Sequence, residues 1–229
     1  MPEHVHVHVP HELEGHAGNG HADGSSNSER WMEIIAAFLL AVTTLCIAWS
    51  GYQAAKWSGL QARRYTQASA ARSLANRDQT TGSQARIQDL LNFNRWLEVT
   101  TQGNVELQQL YERRFRDEFR PAFDAWIAQD PLQNVNAIPS PLRMPQYVLE
   151  SEQHAEKLEK LADVRFEQGK IATENADKYV FTTVFFAAVL FFAGISLRFE
   201  WMRLRMVMLG LASVFLIYGL IQLATMPTH

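Results

Sequence analysis

The run IIAAFLLAVTTLCIAWSGYQAA, residues 34–55, carries no charged side chain. At ~1.5 Å of rise per residue it is long enough to cross a hydrocarbon core of roughly 30 Å as a helix. Two further runs share its character, YVFTTVFFAAVLFFAGISL at 179–197 and MVMLGLASVFLIYGLIQLATM at 206–226. Together they predict an all-α integral membrane protein with three transmembrane helices. A helical bundle or stalk outside the membrane is expected between the first span and the second.

Reading outward from these runs divides the chain. Residues 1–30 are expected to form a disordered, His-rich acidic tail, and 31–55 the first span. Residues 56–178 form an extramembrane helical domain with a Pro-rich loop at 129–146. The second span is 179–197, a short turn 198–205, and the third span 206–226. The turn is too short for anything else, so the last two spans must form a hairpin. The first span reads as a retained signal-anchor, because the polar, acidic residues before it do not have the pattern of a cleaved leader.

The first helix is expected to run past the membrane surface. Between Gln53 and Asp78 there is no Pro, and Ala, Gln, Arg and Leu favour helix. Thr80-Thr81-Gly82-Ser83 reads as a break. A second helix is expected over Gln84–Gln102, ended by Gly103-Asn104. A third over Val105–Ala128 carries Leu107, Tyr111, Phe115, Phe119 and Phe123 at every fourth position, then Trp126. Such a stripe is core far more often than a cofactor box. Pro121 should kink it or open a new helix at its first turn. The last soluble helix, about Tyr147 to Lys178, enters the second span without a breaker. The segments 53–78 and 147–178 have similar reach, ~40–48 Å at helical rise, which suggests an antiparallel stalk with the middle helices folded against it.

Steps of three and four along the first helix give Ala41, Thr44, Ala48, Gly51, Ala55, Ser58 and Ala62, a seam of small residues. Small residues let helices approach closely in lipid. On the returning helix Ala155, Ala162, Gly169 and Ala176 recur at sevens, and Thr183, Ala187 and Gly194 extend the stripe into the second span. The simpler expectation is that these two helix faces pack on each other within one chain. The sharper one is that the first seam meets a second copy or another membrane protein.

The chemistry on offer is sparse. One cysteine, Cys46, excludes an internal disulfide and a multi-cysteine zinc site. The net charge of -3 gives no reason to expect a nucleic-acid partner. The tail holds His4, His6, His8, His11, His16 and His21, whose imidazoles suit weak binding of Zn, Ni or Cu, though a mobile polar appendage is the simpler reading. His11-Glu12-Leu13-Glu14-Gly15-His16 misses the zincin spacing by one residue. Arg113, Arg114, Arg116 and Arg120 are interleaved with Glu112, Asp117 and Glu118, as on a solvated face. The spans lack the intramembrane charges common in pumps and proton relays, which disfavours a transporter.

The elements Tyr52-Gln53-Ala54-Ala55-Lys56 after the first span and Arg198-Phe199-Glu200-Trp201-Met202-Arg203 between the last two resemble a family of three-span bacterial membrane proteins with a domain of unknown function. The resemblance covers the membrane regions better than the middle domain. It implies a bacterial inner-membrane location and brings no activity. For orientation the charge signals oppose each other. Arg198, Arg203 and Arg205 favour a cytoplasmic turn, whereas the close flanks hold six basic residues on the domain side and four on the other, which leans to a cytoplasmic domain. The functional expectation is a non-enzymatic scaffold or accessory subunit. The alternative is a metal-linked sensor or regulator working through the His-rich tail.

Overall fold

The computed structural model describes residues 27–228. Every regular element among them is helical: α1 (Asn27–Thr101), α2 (Val105–Arg113), α3 (Arg120–Ile127), α4 (Glu150–Ser196) and α5 (Met202–Thr225), with a single 3-10 turn at Pro141–Arg143. Helices α1, α4 and α5 each contain a segment long and apolar enough to cross a membrane. The chain is an all-α, multi-pass membrane protein with a helical segment between its first two spans.

The spans pack through one core made of Met32, Ala36 and Leu39 from α1, Phe186, Val189 and Ala193 from α4, and Leu209, Ala212 and Leu216 from α5. Large apolar side chains such as Phe38, Leu45, Phe181, Val184, Phe191, Val214 and Ile221 point outward. In water that outer surface would be a liability, whereas against lipid it is the expected one. Gly219 lets α5 close on α4, because a Cβ there would stand 2.6 Å from the Phe186 ring. After α5 the carbonyl of Pro227 accepts two hydrogen bonds, from the Trp57 indole at 3.1 Å and the Tyr179 hydroxyl at 3.2 Å. These amphipathic rings mark one membrane boundary, and Trp31 and Trp201 mark the other.

Beyond the boundary, α1 and α4 run antiparallel as a two-helix stalk. On α1 the inward positions are Ala68, Ala71, Ala75, the half-buried Asp78, Gly82, Ala85 and Asp89. On α4 they are Ala155, Leu158, Ala162, Arg165, Gly169, Ala172 and Ala176. Both sets alternate steps of three and four, a period of 3.5 that keeps two helices in contact by supercoiling. Ala and Gly at these sites leave little side chain between the helices, and a Cβ added at Gly169 would stand 2.6 Å from the Tyr65 ring. Bridges flank the seam, with Arg72 to Asp163 at 3.2 Å and Arg86 to Glu152 at 2.7 Å.

Three expectations are corrected. Residues 80–83 do not break α1, which runs unbroken to Thr101 and takes in the segment expected as a second helix. The Thr80 and Thr81 hydroxyls bond the carbonyls of Asn76 and Arg77 in their own helix, and Gly82 is a contact glycine. A Cβ on Gly82 would lie 2.7 Å from Glu152 Cγ. The stripe over Val105–Ala128 is not one helix either. The chain turns at 114–119, and Pro121 sits in the first turn of α3, where its missing N–H costs nothing.

The third correction concerns the seam. Ala162, Gly169 and Ala176 are buried against α1, but Ala41, Thr44, Ala48, Gly51, Ala55, Ser58 and Ala62 are all exposed. Helix α1 carries two small-residue stripes, and the other one faces α4. The α4 stripe also does not continue into the membrane through Thr183, Ala187 and Gly194. The buried face there is Tyr179, Thr182, Phe186, Val189 and Ala193.

Candidate functional site: the aromatic head and its polar latch

At the far end of the stalk the chain turns sharply. Gly103 takes φ +74, the left-handed region open to glycine, and ends α1. Asn104 then caps α2, its side chain accepting from the Leu107 N–H at 3.1 Å. Helices α2 and α3 and the Pro-rich segment fold over the end of α1. They enclose Phe93, Trp96, Phe115, Phe119, Ala122, Phe123, Trp126 and Met144. The fourfold-spaced aromatic stripe therefore forms this core, with Leu107 left at its edge and Tyr111 partly covered.

The rings meet edge to face, Trp96 on Phe123 with centroids 4.9 Å apart and Phe93 on Trp126 at 5.1 Å. Such pairs add to the stabilisation from burial alone. Each buried indole finds an acceptor. The Trp96 N–H donates to Glu112 at 2.8 Å and the Trp126 N–H to the Ile138 carbonyl at 2.6 Å. The second bond pins the Pro-rich segment to the core, so a stretch read as loop is anchored.

A polar network fastens this head to the stalk. Asp89 occupies a seam position on α1 and its side chain is 1% exposed. The Tyr147 hydroxyl donates to Asp89 Oδ2 at 2.9 Å, and Arg116 Nε stands 3.5 Å from Oδ1. Among the described residues Asp89 Oδ1 meets no hydrogen-bond donor. Burial pushes the Asp89 carboxyl above its ordinary range, with the Tyr147 bond and Arg116 opposing the shift. Burial also raises the Tyr147 phenol, and the Asp89 bond adds to that.

Arg116 pairs in addition with Glu118, and Glu118 Oε1 accepts the Glu150 N–H at 3.1 Å. Helix α4 has no cap from Leu149, the residue before it, so a carboxylate from the head supplies one. Arg86 donates three hydrogen bonds to Glu152 and lies over the Tyr147 ring, 5.1 Å from its centroid. The result is a continuous chain of contacts from α1 through the head to the start of α4.

The arrangement serves for holding. Sequence spacing does not mark Asp89, Tyr147 and Arg116 as a group. A signal was present, since Ala85, Asp89, Phe93 and Trp96 fall on one helical face and an acid there demands partners. His4, His6, His8, His11 and His16 lie outside the described residues. Among the described residues no cluster of three or more His, Cys, Asp or Glu could hold a metal ion. Comparison with protein-family models, curated proteins and solved structures found no match.

Proposed function

We propose that the chain is a non-enzymatic integral membrane scaffold or accessory subunit that presents its aromatic-cored head to another protein at a fixed height above the bilayer. The observation that carries this reading is the unbroken length of α1, 75 residues with a lipid-facing segment at one end and the head at the other. From Trp57 to Thr101 the helix reaches ~65 Å at ordinary helical rise. A stiff spacer of that length has little use for a buried reaction but does fix a separation. The outer surface of α1 beside the head supports docking, because Ile87 and Leu91 are 57% and 60% exposed on the side away from α4. Large apolar residues standing in water four apart on one helix face are a common mark of a contact surface.

The membrane in question is taken to be a bacterial inner membrane, with the stalk on the cytoplasmic side as the flanking charges lean. Site-specific photocrosslinking from Ile87 and Leu91 in intact cells tests the docking role. A discrete adduct from these sites, absent when the probe is moved to exposed Lys157 on α4, is the expected result. A second copy of the chain in that adduct would make the partner itself. No adduct from either site ends the reading.

A further inference from the structure

Helix α4 carries a second heptad line beside the one that faces α1. It runs Leu161, Val164, Gln168, Ile171, Asn175 and Lys178, in steps of three and four. The same steps lead on to Thr182, Phe185, Val189 and Phe192 in the membrane, and there α5 covers them. Thr182 Oγ1 stands 4.0 Å from Met226 Sδ. The Phe185 and Tyr218 ring centroids are 4.7 Å apart, those of Phe192 and Phe215 5.8 Å. Val189 shares a core with Leu209, Ala212 and Leu216. Helix α1 supplies the facing wall. Every seventh residue from Met32 gives Leu39, Cys46, Gln53, Leu60, Gln67 and Leu74. Met32 and Leu39 sit in that same core, with Cys46 packed against it. One helix, α5, touches both lines in the membrane, so both border one flank of the α1–α4 pair.

Past the Pro227 clasp α5 has ended, and the groove it fills runs on along the stalk. Leu161, Val164 and Ile171 are 44%, 54% and 55% exposed there, and Leu74 is 46% exposed. A face that only meets water has no need of large apolar residues at heptad spacing, whereas a further helix does. Lipid does not reach them all. Leu74 lies 17 residues beyond Trp57, which is ~25 Å at helical rise and well past the headgroups. The charge along the groove is of one sign. Steps of three from the α1 line take in Lys56, Arg63, Ala70 and Arg77, and the α4 line ends on Lys178, with no Asp or Glu at any wall position between. Arg63, Arg77 and Lys178 have no ion pair among the described residues. The acids of α4 lie on its other faces, Glu152 and Asp163 in bridges to Arg86 and Arg72, and Glu167 beside Lys170.

We infer that this groove is the docking site for an acidic amphipathic helix of a partner protein, laid along the line of α5. Its apolar side covers Leu74, Leu161, Val164 and Ile171, and its carboxylates meet Arg63 and Arg77. From Leu161 to Lys178 the groove is ~25 Å long, room for about two and a half heptads. The site lies lower on the stalk than Ile87 and Leu91 and does not depend on the role proposed for them.

Fluorescence anisotropy with the full-length protein in detergent micelles tests this. The probe is a labelled peptide of about three heptads, with Leu at its two inward positions and Glu at the flanking ones, which keep it from pairing with itself. It should bind at least about tenfold more tightly than the same peptide with Lys for Glu, since like charges brought together are strongly disfavoured. Val164→Ser with Ile171→Ser should weaken the acidic peptide at least about tenfold, as expected when two apolar contacts are lost. Arg63→Glu with Arg77→Glu should reverse the preference. Glu159→Lys, outside the groove, should leave it unchanged. All these side chains are exposed, so the variants spare the core. Should the serine pair not yield monodisperse protein, the charge reversal decides alone. Equal affinity for the two peptides, binding that outlasts both double variants, or a preference lost with Glu159→Lys would overturn the inference. So would self-association of the wild type that the serine pair abolishes, which would seat a second copy in the groove.

Discussion

Gly169 has no room for a side chain. A Cβ there would sit 2.6 Å from the Tyr65 ring, whose hydroxyl shares a hydrogen bond with Thr173 at 3.3 Å. Gly169→Ala should force the ring aside, break that bond and cost about 1–3 kcal/mol, the usual range for an added methyl in a packed seam. Thermal unfolding of the purified protein would show it, and an unchanged midpoint would mean that Tyr65 is free to move. Asp89 gives a second test at this scale. Its folded carboxyl titrates above its unfolded value, so burying the charged form costs stability at neutral pH, and that cost is relieved as the pH falls through the raised value. Asp89→Asn keeps an acceptor for Tyr147 and removes the charge. The wild type should therefore gain on the variant as the pH is lowered from 7 towards 4. A difference that stays flat, or moves the other way, would show that Arg116 dominates over burial.

At the scale of elements, much was legible in the sequence for physical reasons. Uncharged runs long enough to span lipid have few alternatives as structure. Gly103 and Pro121 act through their own backbone chemistry, so they marked a turn and a helix start correctly. Ala155, Ala162, Gly169 and Ala176 share one face at any helical register. What failed were choices that only a partner can make. Thr80 to Ser83 have turn-forming side chains, yet threonine hydroxyls also bond their own helix, and a glycine breaks nothing when another helix occupies the space beside it. The small stripe from Ala41 to Ala62 was as regular as the one that faces α4, and spacing alone cannot rank two equal faces. Asp89 was illegible as a latch because Arg116 and Tyr147 reach it across intervals of 27 and 58 residues. The stalk's register provides the matching prediction. One Ala inserted after Ala75 would turn everything beyond it by ~100°. Gly82, Ala85 and Asp89 would leave the seam, and limited proteolysis should then cut the Pro-rich segment 129–146 much faster than in the wild type. Equal cutting rates would show that the head holds without the stalk.

On the scale of the whole molecule, the governing quantity is height. Spin labels on cysteines placed at exposed Ser58 and Val105, with Cys46 replaced by Ala, should report a separation of about 65 Å with a narrow distribution in a bilayer. A broad distribution would indicate a bending stalk and remove the spacer from the proposed role. The Pro227 clasp bears on the same rigidity. By tying the end of α5 to Trp57 on α1 and Tyr179 on α4, it fixes all three helices at the level where the stalk leaves the lipid.

The aromatic head also has a bearing on how the chain reaches this shape. Its contacts join residues near one another in sequence, whereas the lowest stalk contact, Tyr65 with Thr173, closes an interval of 108 residues. Shorter loops cost less entropy to close, so the tip should assemble first and the two long helices should then zip towards the bilayer, each closed step shortening the next. Phe119→Ala, worth about 3–5 kcal/mol at a buried aromatic, would slow refolding of the entire hairpin if the tip nucleates it. If zipping begins at the lipid end, the same substitution would mainly hasten unfolding.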